Sequence, residues 1–118
     1  MIEIELPFLT PLANKILRMH WTAKSAMNKR VREHILHQIS PPKTLNPPVS
    51  IHVTRHSKQE PDPDGLPICA KPIIDAFVYF GIIPDDNPAI VKKLVVDWEY
   101  APGNGFITAS IDEMDSKQ

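Results

Sequence analysis

The stretch Glu60-Pro61-Asp62-Pro63-Asp64-Gly65-Leu66-Pro67-Ile68-Cys69-Ala70-Lys71 separates the strand pattern that precedes it from the helix pattern that follows it. Its three prolines and one glycine break regular structure at this point. If the backbone stays extended up to Asp64, the side chains of Asp62 and Asp64 project from the same side, because side chains alternate along an extended chain. Two carboxylates aimed together indicate a site for a hard cation.

Two strands and one long helix are predicted before this stretch. Alternating apolar residues predict strands over residues 2–6 and 49–55, with His52 pointing outward from the second strand. Residues 22–39 have helical spacing, which predicts an amphipathic helix with a basic outer surface. Its apolar stripe is formed by Ala23, Met27, Val31, Ile35 and Ile39. Proline-containing segments at 11–15 and 41–48 are predicted to be loops.

After the stretch we expect a helix and two strands. The helix begins near Ala70 or kinks at Pro72, and Gly81 ends it. The β-branched run 90–98 predicts a third strand, residues 100–105 the loop of a hairpin, and residues 106–111 a fourth strand. The order β-α-β-α-β-β predicts a single α+β domain over residues 1–118, in which two main helices pack on a mixed sheet of about four strands.

Charge is divided unevenly along the chain. Residues 1–58 contain nine Lys/Arg and three Asp/Glu, whereas residues 59–118 contain four Lys/Arg and eleven Asp/Glu. This division would suit a metal-dependent enzyme that acts on a polyanion, but on charge alone ordinary solvated faces are the favoured interpretation. The single Cys69 excludes an internal disulfide and a cysteine-rich zinc site. No apolar run approaches the roughly 20 residues of a membrane span, and the N-terminus lacks a signal-peptide layout, so we expect a cytoplasmic protein without membrane contact.

The acidic residues suggest phosphodiester chemistry. Asp62, Asp64 and one residue of the pair Asp85–Asp86 provide the oxygen ligands that Mg²⁺ prefers. Two such ions activate a water and stabilise the leaving oxygen of a phosphodiester. Lys71 would neutralise charge on the phosphoryl group, and it lies four residues before Asp75, with which it can pair on one helix face.

The spacing of these residues resembles that of the RusA family of Holliday junction resolvases, which phages and prophages carry. The similar elements run over most of the chain: Leu6-Pro7-x-x-x-Pro11-x-x-Asn14, Asp62-x-Asp64, Lys71-x-x-x-Asp75-Ala76, Gly81-x-x-x-Asp85-Asp86 and Val91. The resemblance implies a homodimer in the cytoplasm of a bacterial host. It also implies Mg²⁺-dependent cleavage of branched DNA by paired nicks in recombination and repair, with Mn²⁺ as an alternative ion.

Carried over by position, the resemblance makes Asp62, Asp64 and Asp86 the metal ligands and Lys71 the catalytic lysine. The expected DNA-binding residues are Asn14, Lys15, Arg18, Lys29, Arg30, Arg32, Arg55 and Lys58.

Three features depart from the family pattern. Gly65 stands where the family usually has Asn, and an Arg run before the first motif is replaced by residues 55–60. The spacing from Asp64 to Lys71 matches only one branch of the family. The alternatives are a DNA-binding dimer that keeps the fold without catalysis, and a phosphohydrolase of small nucleotides.

Overall fold

A computed structural model describes residues 1–114, and within them four strands form one sheet. The strands are β1 (Ile2–Leu6), β2 (Val49–Ser57), β3 (Val91–Tyr100) and β4 (Phe106–Glu113). Their order across the sheet is β1-β4-β2-β3. Strand β4 runs antiparallel to β1 and β2, whereas β3 runs parallel to β2. The predicted mixed sheet is therefore confirmed.

The helices agree with the predicted pair, with one addition. They are α1 (Ala13–Ile16), α2 (Trp21–Gln38) and α3 (Lys71–Tyr79), and a 3₁₀ helix (Leu66–Ala70) leads into α3. The prediction of a loop over residues 11–15 was wrong, because one helical turn forms there. Pro72 takes the second position of α3, where its missing N–H leaves no helical hydrogen bond unmade. The helix therefore begins beside Ala70, as predicted, without a kink.

The predicted hairpin between β3 and β4 was wrong, because β2 lies between these two strands. The loop that joins them has the composition of a hairpin turn, and Gly103 and Gly105 both have positive φ. Loop composition alone does not decide which strands pair, because pairing also depends on which strands pack their apolar faces on the same core. Strand β3 pairs in parallel with β2 along its whole length, and the crossover between them contains α3.

The core lies between α2, α3 and one face of the sheet. Val49, Ile51 and Val53 of β2 are buried, as the alternation predicts, and His52 lies exposed on the opposite face. Val31 and Ile35 of α2 are buried as well, whereas the first turns of the helix lie outside the core. The apolar stripe of α2 is thus buried only toward its C-terminal half.

The end of α3 is fixed by a Gly81 with φ of 73°. The backbone N–H of Ile82 donates to the carbonyl of Phe77 at 2.9 Å, and that of Gly81 donates to Val78 at 3.0 Å. These two bonds form the motif in which a left-handed glycine closes a helix. The predicted stop is confirmed, and it turns the chain toward the loop that carries Asp85 and Asp86.

Candidate functional site

Asp62 and Asp64 lie in a turn that a four-residue segment, 58–61, connects to the end of β2. The backbone N–H groups of Gly65 and Leu66 donate to the carbonyl of Asp62 at 3.0 and 3.1 Å. The N–H of Asp64 donates to Oδ1 of the Asp62 side chain at 3.1 Å. The condition of an extended backbone up to Asp64 is therefore not met, because the aspartate side chain stabilises a turn instead. Both carboxylates are exposed.

The turn and α1 form one cleft. Asp62, Asp64 and Gly65 line it on one side, and Leu12, Ala13 and Asn14 line it on the other. Proline at position 11 and the short helix bring Asn14 to this place, although it lies far from the acidic turn in the sequence. Two aspartates and one asparagine thus line the same cleft.

Thr10 and Arg55 hold the segment before α1 in position. A guanidinium N–H of Arg55 donates to the carbonyl of Thr10 at 2.7 Å, and the Thr10 hydroxyl donates to the carbonyl of Cys69 at 2.6 Å. Thr10 and Cys69 are buried, and burial raises the pKa of the Cys69 thiol, in keeping with a packing role. Our sequence reasoning missed Thr10; a lone hydroxyl in a run of apolar and proline residues was the available signal.

The backbone conformation at position 65 does not require a glycine. Its φ is −94°, which any residue adopts. A Cβ built at this position lies 3.7 Å from Ala13 Cβ and 3.8 Å from the Asp62 carbonyl oxygen, which are ordinary contacts. A side chain at this position would enter the cleft, which Gly65 helps to line.

Lys71 begins α3 and pairs with two carboxylates. Its Nζ lies 2.9 Å from Oδ1 of Asp75, one turn along the helix, and 3.4 Å from Oδ2 of Asp86. The predicted Lys71–Asp75 pair is present. The hydrogen bond to Asp75, assisted by Asp86, raises the pKa of Lys71 above its ordinary value. Lys71 is therefore a cation at neutral pH.

The two neighbouring acids Asp85 and Asp86 have different surroundings. Asp85 accepts hydrogen bonds from the N–H of Asp86 at 2.7 Å and from the amide of Asn87 at 3.1 Å. These bonds hold the pKa of Asp85 below its ordinary value. Asn87 in turn accepts from the N–H groups of Ala89 and Ile90. Asp85 thus stabilises the loop, whereas Asp86 faces Lys71.

The donor set suits a hard cation, although the predicted ligands do not form one cluster. Carboxylate and amide oxygens in the cleft of Asp62, Asp64 and Asn14 are of the type that Mg²⁺ prefers. In residues 1–114 no three His, Cys, Asp or Glu side chains are grouped so that they would hold a metal ion. Asp86 is brought to Lys71 and Asp75 instead.

The expected DNA-binding residues fall into three groups. Exposed residues at α1, at the turn after it and after β2 include Asn14, Lys15, Arg18 and Lys58. On α2, Lys29 is exposed, whereas Arg30 stacks on the Phe8 ring at 3.8 Å and Arg32 on the Tyr79 ring at 4.4 Å. Arg55 is only 9% exposed, and its contact with Thr10 gives it a structural role.

The comparisons with known proteins leave the family open. No protein-family model matches the chain, and no curated protein matches it. Membership of the RusA family therefore stays a prediction. Within residues 1–114, none of the helices has the length and apolar character that crossing a membrane requires.

Proposed function

We propose that the chain is a Mg²⁺-dependent endonuclease of the RusA type that nicks branched DNA. The observation that carries the proposal is the cleft in which Asn14 of α1 lies with Asp62 and Asp64 of the acidic turn. Residues distant in sequence meet there, and their oxygen atoms match the ligands of Mg²⁺, with Mn²⁺ as an alternative. A bound ion would activate water and stabilise the leaving oxygen of a phosphodiester.

Each side chain of the site has a separate task under this proposal. Asp62, Asp64 and Asn14 would hold the ion. Lys71 would place its positive charge near the phosphoryl oxygens, and its pairing with Asp75 keeps it protonated and oriented. Asp86 contacts Lys71 through Oδ2 and would help to orient its ammonium group.

The charge distribution supports a nucleic acid as the substrate. The first 58 residues have nine Lys/Arg against three Asp/Glu. Lys15 lies in α1, the helix that carries Asn14, and Arg18 lies just after it; both are exposed. Lys58 is also exposed and lies shortly before Asp62. Phosphate contacts from these residues would bring the DNA backbone to the carboxylates, and binding would weaken with added salt.

A homodimer follows from the same proposal. Paired nicks at a branch require two sites in a fixed relation, and two-fold symmetry provides one site from each protomer. Sedimentation of the purified chain at several concentrations tests this part separately from cleavage.

The deciding experiment is cleavage of a labelled four-way junction with and without Mg²⁺, in the wild type and in Asp64→Asn. We expect nicked product only from the wild type with the ion. The variant should bind the junction as tightly or more tightly, because a negative charge near phosphate is lost. Asp97→Asn is the matched control, since Asp97 is an exposed aspartate that pairs with His52 on the opposite face of the sheet. Cleavage by Asp64→Asn at the wild-type rate would refute the proposal.

The same assay separates the two alternatives. A shifted band without product at any Mg²⁺ or Mn²⁺ concentration would favour a DNA-binding dimer without catalysis, for which Gly65 in place of Asn is the motivation. Competition by free nucleotides but not by linear duplex would favour a phosphohydrolase of small nucleotides.

A further inference from the structure

The corner between α1 and α2 exposes two large apolar side chains. Leu17, just after α1, is 81% exposed, and Trp21, the first residue of α2, is 70% exposed. Apart from Met1, no large apolar side chain in residues 1–114 is more exposed than these two. Burying two such side chains against a partner would be favourable, because it removes apolar surface from water.

Three cations lie close in sequence to these two side chains. Lys15, Arg18 and Lys24 lie within the same short segment, and none of them is within 4.0 Å of a carboxylate in the described part of the chain. The sequence has no Asp or Glu from residue 6 to residue 32. The corner therefore favours an anionic partner that also offers flat apolar surface.

Trp21 lies in the capped first turn of α2. The backbone N–H of Thr22 donates to Nδ1 of His20 at 3.2 Å, so the His20 side chain caps the helix. The His20 ring centroid lies 5.6 Å from that of Trp21. The backbone that carries Trp21 is therefore already ordered before a partner binds, which lowers the entropy cost of binding.

The corner follows the candidate site along the chain. Helix α1 places Asn14 in the cleft of Asp62 and Asp64, and Leu17 follows that helix directly. A partner bound in the cleft would reach the corner by extending along α1.

We propose, building on the branched-DNA function proposed above, that Leu17 and Trp21 form a stacking surface for a base left unstacked at a branch point. Aromatic side chains stack on exposed base faces, and apolar side chains wedge between base steps. A closed duplex offers its base faces only at its ends, whereas a branch exposes them internally. The neighbouring cations bind the phosphates on either side of the exposed base.

A second copy of the chain suits this corner poorly. A two-fold interface centred on the corner would place the same patch against itself, so that Lys15, Arg18 and Lys24 of one protomer would face those of its partner. Like charges at such short range oppose association.

Tryptophan fluorescence tests the stacking directly. The chain has two tryptophans, and Trp98→Phe leaves Trp21 as the single reporter. The Trp98 indole donates to Ser57 on β2, so a melting curve first verifies that this variant folds. In EDTA, we expect a four-way junction and a single-stranded oligonucleotide to quench Trp21 emission strongly, and a long linear duplex to quench it weakly.

Binding by variants provides the second measurement. Trp21→Ala should weaken junction binding about tenfold or more and duplex binding by less than about twofold, while Trp21→Phe retains most of the affinity. Leu17→Ser should weaken junction binding to a smaller extent. Tyr100→Ala is the matched control, because Tyr100 is 67% exposed in the acidic half of the chain, and it should leave binding unchanged.

Three results would overturn the stacking surface. These are equal quenching by junction and duplex, loss of the dimer in Trp21→Ala, and an emission shift with anionic vesicles but not with DNA. Junction cleavage with an unresponsive Trp21 would refute the stacking surface alone. Absence of binding to every DNA would refute the proposed function as well.

Discussion

The ammonium group of Lys71 lies 3.4 Å from Oδ2 of Asp86, so an ion pair joins the first turn of α3 to the loop before β3. The same ammonium group lies 2.9 Å from Asp75. Because all three side chains are half exposed, these pairs contribute less than about 1 kcal/mol each to the free energy of unfolding. Their importance is positional, since they orient one cation between two carboxylates.

Replacing Lys71 should reduce turnover much more than affinity. We expect Lys71→Ala to lower kcat about 100-fold with little change in KM, and Lys71→Arg to retain part of the activity, because the charge is what acts. The raised pKa of Lys71 means that its charge persists at all pH values below that pKa and is lost only as the pH rises through it. The contribution of Lys71 to kcat should therefore be constant from pH 7 to about pH 9. A kcat that rises over this range in the wild type but not in Lys71→Arg would indicate a base instead.

Asp85 and Asp86 should differ when each is changed to Asn. We expect Asp86→Asn to lose most of the cleavage activity, because the carboxylate that faces Lys71 loses its charge. Asp85→Asn should keep most of the activity, since its amide oxygen still accepts the N–H of Asp86. Junction cleavage by the two variants at equal concentration is the measurement, and equal losses would contradict the assignment of Asp86 as the site residue.

Asp85 should also link stability to pH. Its depressed pKa means that its contribution is present above the ordinary carboxylate pKa and disappears as the pH falls through the depressed value. The difference in Tm between the wild type and Asp85→Ala should accordingly be larger at pH 7 than at pH 3. A difference that is the same at both pH values would show that the hydrogen bonds do not depend on the charge.

Gly65→Asn should be tolerated and should raise the cleavage rate. The negative φ and the ordinary contact distances of a Cβ permit the change, and the added amide would enter the cleft beside Asp62. Gly105→Ala is the contrasting control: φ there is 87° and a Cβ would lie 2.7 Å from Leu9 Cδ1, so we expect a loss of about 1–3 kcal/mol in stability. A Gly65→Asn protein as unstable as Gly105→Ala would contradict the described turn.

Substitution of Arg55 should affect stability, whereas substitution of Lys58 should affect DNA binding. Arg55→Met removes the donor to the Thr10 carbonyl and should cost about 1.5–3 kcal/mol of unfolding free energy. Lys58→Met should leave stability unchanged, weaken binding to all DNAs, and reduce the slope of log K against log salt by about 1. Urea unfolding and salt titrations provide the two measurements. The reverse pattern would make Arg55 a DNA ligand and Lys58 a structural residue.

Local patterns predicted most of the secondary structure, because burial imposes periodicity on neighbouring residues. Val49, Ile51 and Val53 alternate since one face of β2 is covered, and Lys71 pairs with Asp75 since residues four apart share a helix face. Strand pairing is not local in this sense. The loop between β3 and β4 looks like a hairpin turn, yet β3 finds its partner on β2.

The candidate site was predictable in its residues more than in its geometry. The spacing of Asp62, Asp64, Lys71 and Asp86 identified the residues of the site. It did not indicate that a side-chain hydrogen bond turns the chain at Asp62. The placement of Asn14 beside the aspartates depends on the long-range contacts of Thr10 and Arg55, which no spacing in the sequence encodes.

Strand β2 has a neighbouring strand on each side, whereas β3 lies at one edge of the sheet and β1 at the other. Amide protons in such an interior strand exchange with solvent only when a large part of the domain opens, while edge strands exchange through smaller openings. The acidic turn thus follows a strand whose amide protons are among the last to exchange with solvent. Partial opening at an edge would leave the base of the turn in place.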